Sequence, residues 1–63
     1  MKTFYRALLW QGKSIQWLAE KLEVSHQTIY GWKLGKTKPN PKYLVKMSKL
    51  LNINIDELVK EFY

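Results

Sequence analysis

Apolar residues in this chain recur at every third or fourth position, and each run lies between a residue that starts a helix and one that ends it. That period is helical. The alternating apolar and polar residues of a strand, with hairpin turn signals, are missing. Ser14 can cap a helix over about 15–22, with Ile15, Leu18, Ala19 and Leu22 at i, i+3, i+4 and i+7 on one face. The next helix has the sharpest boundaries. With Ser25 as N-cap, Val24 and Ile29 take the two positions of a hydrophobic staple, and Gly35 stands just past the end, which predicts a helix over about 26–34. Before these, Phe4 and Leu8, flanked by Tyr5 and Leu9, predict a first helix over about 3–11 that Gly12 ends.

After Gly35 the segment "KTKPNP" reads as a loop, in which Asn40 caps a helix whose first position is Pro41. Leu44, Met47, Leu50 and Leu51 give that fourth helix its buried stripe, and Asn52 suits a left-handed stop. The fifth helix starts on Asn54, with Glu57 three residues later and Ile53 and Leu58 as its staple. Its apolar face is Ile55, Leu58, Val59 and Phe62. Trp10 and Trp17 do not fit their helices' stripes and are expected to close the core from the side, or else to belong to a partner surface. Sixty-three residues have room for one core only, so 1–63 reads as a single all-α, five-helix domain.

The chain has no cysteine, which removes disulfides and thiolate metal sites, and its one histidine leaves no set of zinc ligands. No apolar run approaches the roughly 20 residues of a membrane span, and Arg6 and Gln11 interrupt what could otherwise be a signal segment. These features fit a cytoplasmic protein that takes no cofactor, no metal and no small-molecule ligand. Enzymatic function has nothing to stand on either. There is no carboxylate pair beside the histidine, no nucleophile beside a base, and no glycine loop to cradle phosphate.

Charge is the positive signal. Eleven Lys and Arg against five Asp and Glu leave a net charge of +6. The distribution matters more than the total. From Val24 to Ile55 there is no carboxylate, while Lys33, Lys36, Lys38, Lys42, Lys46 and Lys49 all fall in that stretch. A solvated lysine-rich surface would show the same composition, yet so would the electrostatic footprint of a nucleic-acid binder. The helix at 26–34 favours the second. On a helical wheel Ile29 and Trp32 share an inner edge, while His26, Gln27, Tyr30 and Gly31 lie opposite. An anchored inner edge with amide and aromatic donors outside is what major-groove reading requires.

The segment "SIQWLAEKLEVSHQTIYGWKLGKTKPNPKYLVKMSKLLNINIDEL" resembles the helix-turn-helix of the Cro/phage-repressor (XRE-type) family over nearly the whole chain. Leu18, Leu22, Val24, Ile29 and Trp32 fill the family's apolar positions, and Ala19 its small residue at the helix crossing. Gly35 with Pro39, and the run Leu51, Ile53, Asp56, Glu57 and Leu58, match two later signatures. Three positions depart. Ile15 stands where a phosphate-holding glutamine is common, Glu23 where the turn usually has glycine, and Lys33 where the family often has an acid.

The resemblance implies a phage-repressor-like fold and a sequence-specific, double-stranded-DNA-binding transcription regulator of the repressor kind. It further implies that His26, Gln27, Thr28, Tyr30 and Gly31 face base edges. Lys13, Ser14, Ser25, Lys33, Lys36, Lys38 and Lys42 are expected to hold phosphates; Lys46 and Lys49 fall farther round. Such domains bind pseudo-palindromic operators as homodimers. In a chain this short the dimer must use the domain itself, and Val59, Phe62 and Tyr63 are the candidate interface. The competing function is a protein-interaction module, antirepressor-like or antitoxin-like, that uses the same fold without specific DNA binding.

Overall fold

The computed structural model describes residues 2–63. Its helices are α1 (Thr3–Trp10), α2 (Ile15–Leu22), α3 (His26–Lys33), α4 (Pro41–Leu51) and α5 (Ile55–Phe62), with no strand among the described residues. Each expected cap is made. The Ser14 hydroxyl accepts from the Trp17 N–H at 3.0 Å and the Ser25 hydroxyl from the Thr28 N–H at 3.2 Å. Asn40 and Asn54 accept in the same way from Lys42 and Asp56, at 3.1 and 2.8 Å. A capped start satisfies amides that the first turn leaves without partners.

The first four helices end alike. In each, an amide donates to the carbonyl five residues back: Lys13 to Leu8, Val24 to Ala19, Lys36 to Gly31 and Ile53 to Ser48. The residue before that donor is left-handed: Gly12, Glu23, Gly35 and Asn52, with φ of 67°, 59°, 76° and 56°. Glycine and asparagine take this conformation readily, but a glutamate does so at a cost of about 1 kcal/mol. The turn between α2 and α3 is therefore left-handed with a glutamate where the resemblance implies glycine, and it carries that strain at Glu23.

The core is the inward stripe of every helix. Phe4, Leu18, Ile29, Met47 and Leu58 are fully buried, and Leu8, Ala19, Leu22, Leu44 and Leu51 nearly so. α4 packs on α1, α2 and α5, while α3 is held chiefly through α2. Ala19, the small residue of the α2 stripe, is 2% exposed. Two long-range bonds tie helix ends together, one of them at the start of α1, which has no side-chain cap. The Thr3 N–H at the start of α1 donates to a Glu61 carboxylate oxygen at 2.6 Å, and the Gln11 amide donates to the Leu51 carbonyl at 2.8 Å.

Three expectations about the surface change. Phe62 is not at an interface: four residues from Leu58, it points inward, is 5% exposed, and its ring lies 5.8 Å from that of Phe4. Trp10 does not close the core. It follows Leu8 by two residues, roughly 200° round the helix, and is 86% exposed. Trp17 does pack against the core, half-buried, with the Lys13 amine 5.0 Å from its ring centroid. Leu50 is partly rather than fully buried. α1 and α3 each stop one residue earlier than their spacing suggests, at Trp10 and Lys33.

Candidate nucleic-acid interface

α3 has a dry side and a wet side, and the boundary follows its sequence. Ile29 and Trp32 are 0% and 2% exposed, and the Trp32 ring meets Tyr43 of α4 at 5.7 Å and 42°. Those two anchors fix the rotation of the helix about its axis. His26, Gln27 and Tyr30 are consequently exposed. Gln27 makes no side-chain hydrogen bond among the described residues, so its amide is not engaged within the fold.

Thr28 is half-buried, and its hydroxyl lies 3.0 Å from that of Ser25. Both hydroxyls thus close the first turn of α3, and whatever they touch beyond it must share them. Gly31 lies close to the returning loop: a Cβ there would meet the Thr37 hydroxyl at 2.7 Å and would require that side chain to turn away. The turn after α3 brings Thr37 back to its own helix, where its N–H donates to the Gly31 carbonyl at 3.3 Å.

Beside α3 an open cleft of about 530 Å³ runs from Gln27, Thr28 and Gly31 across to Lys36, Thr37, Lys38, Asn40 and Tyr43, with Trp32 in its floor. The cleft has three donor-bearing sides and no carboxylate in its lining. Asn40 is a member that the sequence marks only as a cap, and Thr37 and Tyr43 are members it does not single out. The left-handed Gly35 was the signal for Thr37, because a reversal there returns the chain to α3.

The expected phosphate ligands fall into two groups. Ser14, Ser25, Lys13, Lys36, Lys38 and Lys42 are exposed around the starts of α2, α3 and α4. Lys33 is half-buried and folded back, its amine 4.2 Å from the Tyr5 ring centroid and 5.7 Å from that of Tyr30. Its amine lies over both rings in cation–π contact, which joins α1 to α3. At the far end of the loop the Tyr63 hydroxyl donates to the Pro39 carbonyl at 2.6 Å, and the Lys38 amine lies 5.2 Å from the Tyr63 ring. Tyr63 therefore braces the loop that carries Lys36 and Lys38. Val59 is 42% exposed, so of the three candidate interface residues it alone is both uncommitted and accessible.

Among the described residues no helix is long and apolar enough to cross a membrane, and no three His, Asp or Glu side chains gather as a metal ion would need. A family model described as helix-turn-helix matches residues 4–58, from Phe4 in α1 to Leu58 in α5. No curated protein and no solved structure matches the chain significantly. With that match spanning all five helices and the α2–turn–α3 unit at its centre, the chain belongs to the XRE-type helix-turn-helix family, a family of DNA-binding transcription regulators.

Proposed function

We propose that this protein is a sequence-specific repressor of the Cro or phage-repressor kind that reads the DNA major groove with α3. The observation that carries the reading is the division of α3 itself. Ile29 and Trp32 are locked into the core, which presents His26, Gln27 and Tyr30 outward beside a cleft edged by Lys36 and Lys38. Gln27 is the leading base reader, since a glutamine amide can donate to and accept from adenine at N7 and N6 together. Tyr30 offers a ring to a thymine methyl, and His26, in the first turn, reaches a base edge or the nearest phosphate. Thr28 and Gly31 line the same wall.

Phosphates are held by Lys13 and Ser14 at the start of α2, by Ser25 at the start of α3, and by Lys36, Lys38 and Lys42 around the cleft. Helix N-termini and lysines give position without sequence information. Lys33 contributes charge to the face while its amine rests on Tyr5 and Tyr30. The operator is pseudo-palindromic and is read by two copies, one per half-site. The setting is the cytoplasm.

The test is binding to random duplex at two salt concentrations. If Lys13, Lys36, Lys38 and Lys42 each neutralise a phosphate, log K falls with log salt at about −3.6 per subunit, at −0.9 per contact. A slope near zero would remove DNA binding and leave the protein-interaction reading in its place. Selection of bound sites from a random DNA pool then supplies the operator.

A further inference from the structure

The surface that joins two copies need not be the end of α5, because two of its three candidate residues are already used within the fold. Phe62 is in the core and Tyr63 is tied to Pro39. Elsewhere one aromatic residue stands out. Trp10 is 86% exposed, more than any other large apolar side chain of the described residues. It borders a cleft of about 270 Å³ formed with Thr3, Arg6 and Ala7 of α1 and Glu57 of α5. A cavity of that size is below the range of ordinary small-molecule sites. It suits one large side chain.

Two further features point to what fills it. Arg6 and Glu57 are both exposed on the rim, and neither forms an ion pair among the described residues. The rim thus carries one charge of each sign and a projecting indole beside a hollow. That set is complementary to itself under two-fold rotation, which is the requirement for an isologous contact. The cleft also leaves the reading face clear. Tyr5 marks the flank of α1 that meets Lys33 of α3, and Trp10 lies about 140° round the helix from it.

We propose that the α1–α5 cleft binds a second copy of this chain, each Trp10 entering the other's cleft and each Arg6 facing the other's Glu57. The proposal rests on the reading of two copies per operator and supplies the surface they share. Two turns of α1 and one of α5 offer less than the about 800 Å² per partner of a standard stable interface. The free dimer is accordingly weak, and binding at adjacent half-sites strengthens it.

Sedimentation equilibrium of the whole chain without DNA, from about 10 μM to 1 mM, tests this directly. The parent should pass from monomer to dimer over that range. Trp10→Ala, which removes an exposed side chain and should leave the melting temperature unchanged, should weaken the dimer at least about tenfold. Arg6→Glu and Glu57→Arg should each abolish it, and the double variant Arg6→Glu/Glu57→Arg should restore it. A parent that stays monomeric at 1 mM overturns the proposal. So does a dimer indifferent to Trp10→Ala, a double variant that fails to recover, or a dimer broken only by Val59→Glu. Random-duplex binding measured on the same samples is independent of all four results, so failure of the surface and failure of the DNA reading are told apart.

Discussion

Replacing Trp32 by alanine tests whether α3 is anchored as described. The indole is 2% exposed and packs tilted against Tyr43 with centroids 5.7 Å apart, so its removal empties a site bounded by α3 and α4. Emptying a buried aromatic site costs about 3–5 kcal/mol. The site also forms the floor of an open cleft, where Tyr43 can partly collapse inward, which favours the lower half of that range. A domain of this length holds roughly 3–9 kcal/mol in total, at about 0.05–0.15 kcal/mol per residue. A loss of about 3–4 kcal/mol lowers the melting temperature by roughly 12–32 °C, at about 4–8 °C per kcal/mol, and can remove the transition altogether.

Far-UV circular dichroism against temperature reads this loss. Tryptophan fluorescence adds a second signature, because Trp10 is exposed and Trp17 half-buried, leaving Trp32 as the source of the blue-shifted emission. Trp32→Phe keeps a ring against Tyr43 and should cost only about 1–2 kcal/mol. If Trp32→Ala melts within about 3 °C of the parent, less than 1 kcal/mol was lost. The rotation assigned to α3, and with it the identity of the outward face, would then be wrong.

Glu23→Gly should stabilise the domain by about 0.5–1 kcal/mol, seen as a higher melting temperature, since glycine accepts φ of 59° without strain. An unchanged or lower melting temperature would mean that the left-handed turn costs the glutamate nothing. Lys36→Ala and Lys38→Ala should each weaken binding to every duplex alike and flatten the salt slope by about one unit. A slope that stays the same removes that lysine from the phosphate set. Tyr63→Phe should lower both DNA affinity and the melting temperature, because it leaves the carbonyl of buried Pro39, which the hydroxyl holds at 2.6 Å, without its partner at a cost of about 1–3 kcal/mol. Unchanged affinity would show that the loop holds its shape without that bond.

How much was legible in the sequence followed the range of the interactions involved. Caps and stops act over two to five residues, so Ser14, Ser25, Asn40, Asn54, Gly12, Gly35 and Asn52 marked the helix ends to within a residue. The inner edge of α3 was legible for the same reason, as periodicity places Ile29 and Trp32 together. What escaped depends on partners far along the chain. Lys33 folds onto Tyr5, which no local pattern relates to it. Tyr63 bonds a loop 24 residues away, and Phe62 finds Phe4 at the other end of the chain. That Trp10 lies off its helix's stripe is legible from its offset to Leu8, but whether such a side chain closes the core from the side or stays exposed depends on what the neighbouring helices bring to it.

If α3 reads bases through Gln27, one ratio of affinities must show it. On the site selected from a random pool and on random duplex, at one salt concentration, the affinity of the parent is compared with that of Gln27→Ala. The side chain is exposed and makes no hydrogen bond within the described fold, so the variant should melt as the parent does. Its affinity for the selected site should fall by about 1–3 kcal/mol, the worth of a bidentate contact to adenine. Its affinity for random duplex should hardly change, because phosphate contacts supply nearly all of that binding. The specific-to-random ratio should therefore drop about 5- to 150-fold. A ratio equal to the parent's would contradict the account: Gln27 would read no base, and the outward face of α3 would owe its sequence preference to His26 and Tyr30 or have none.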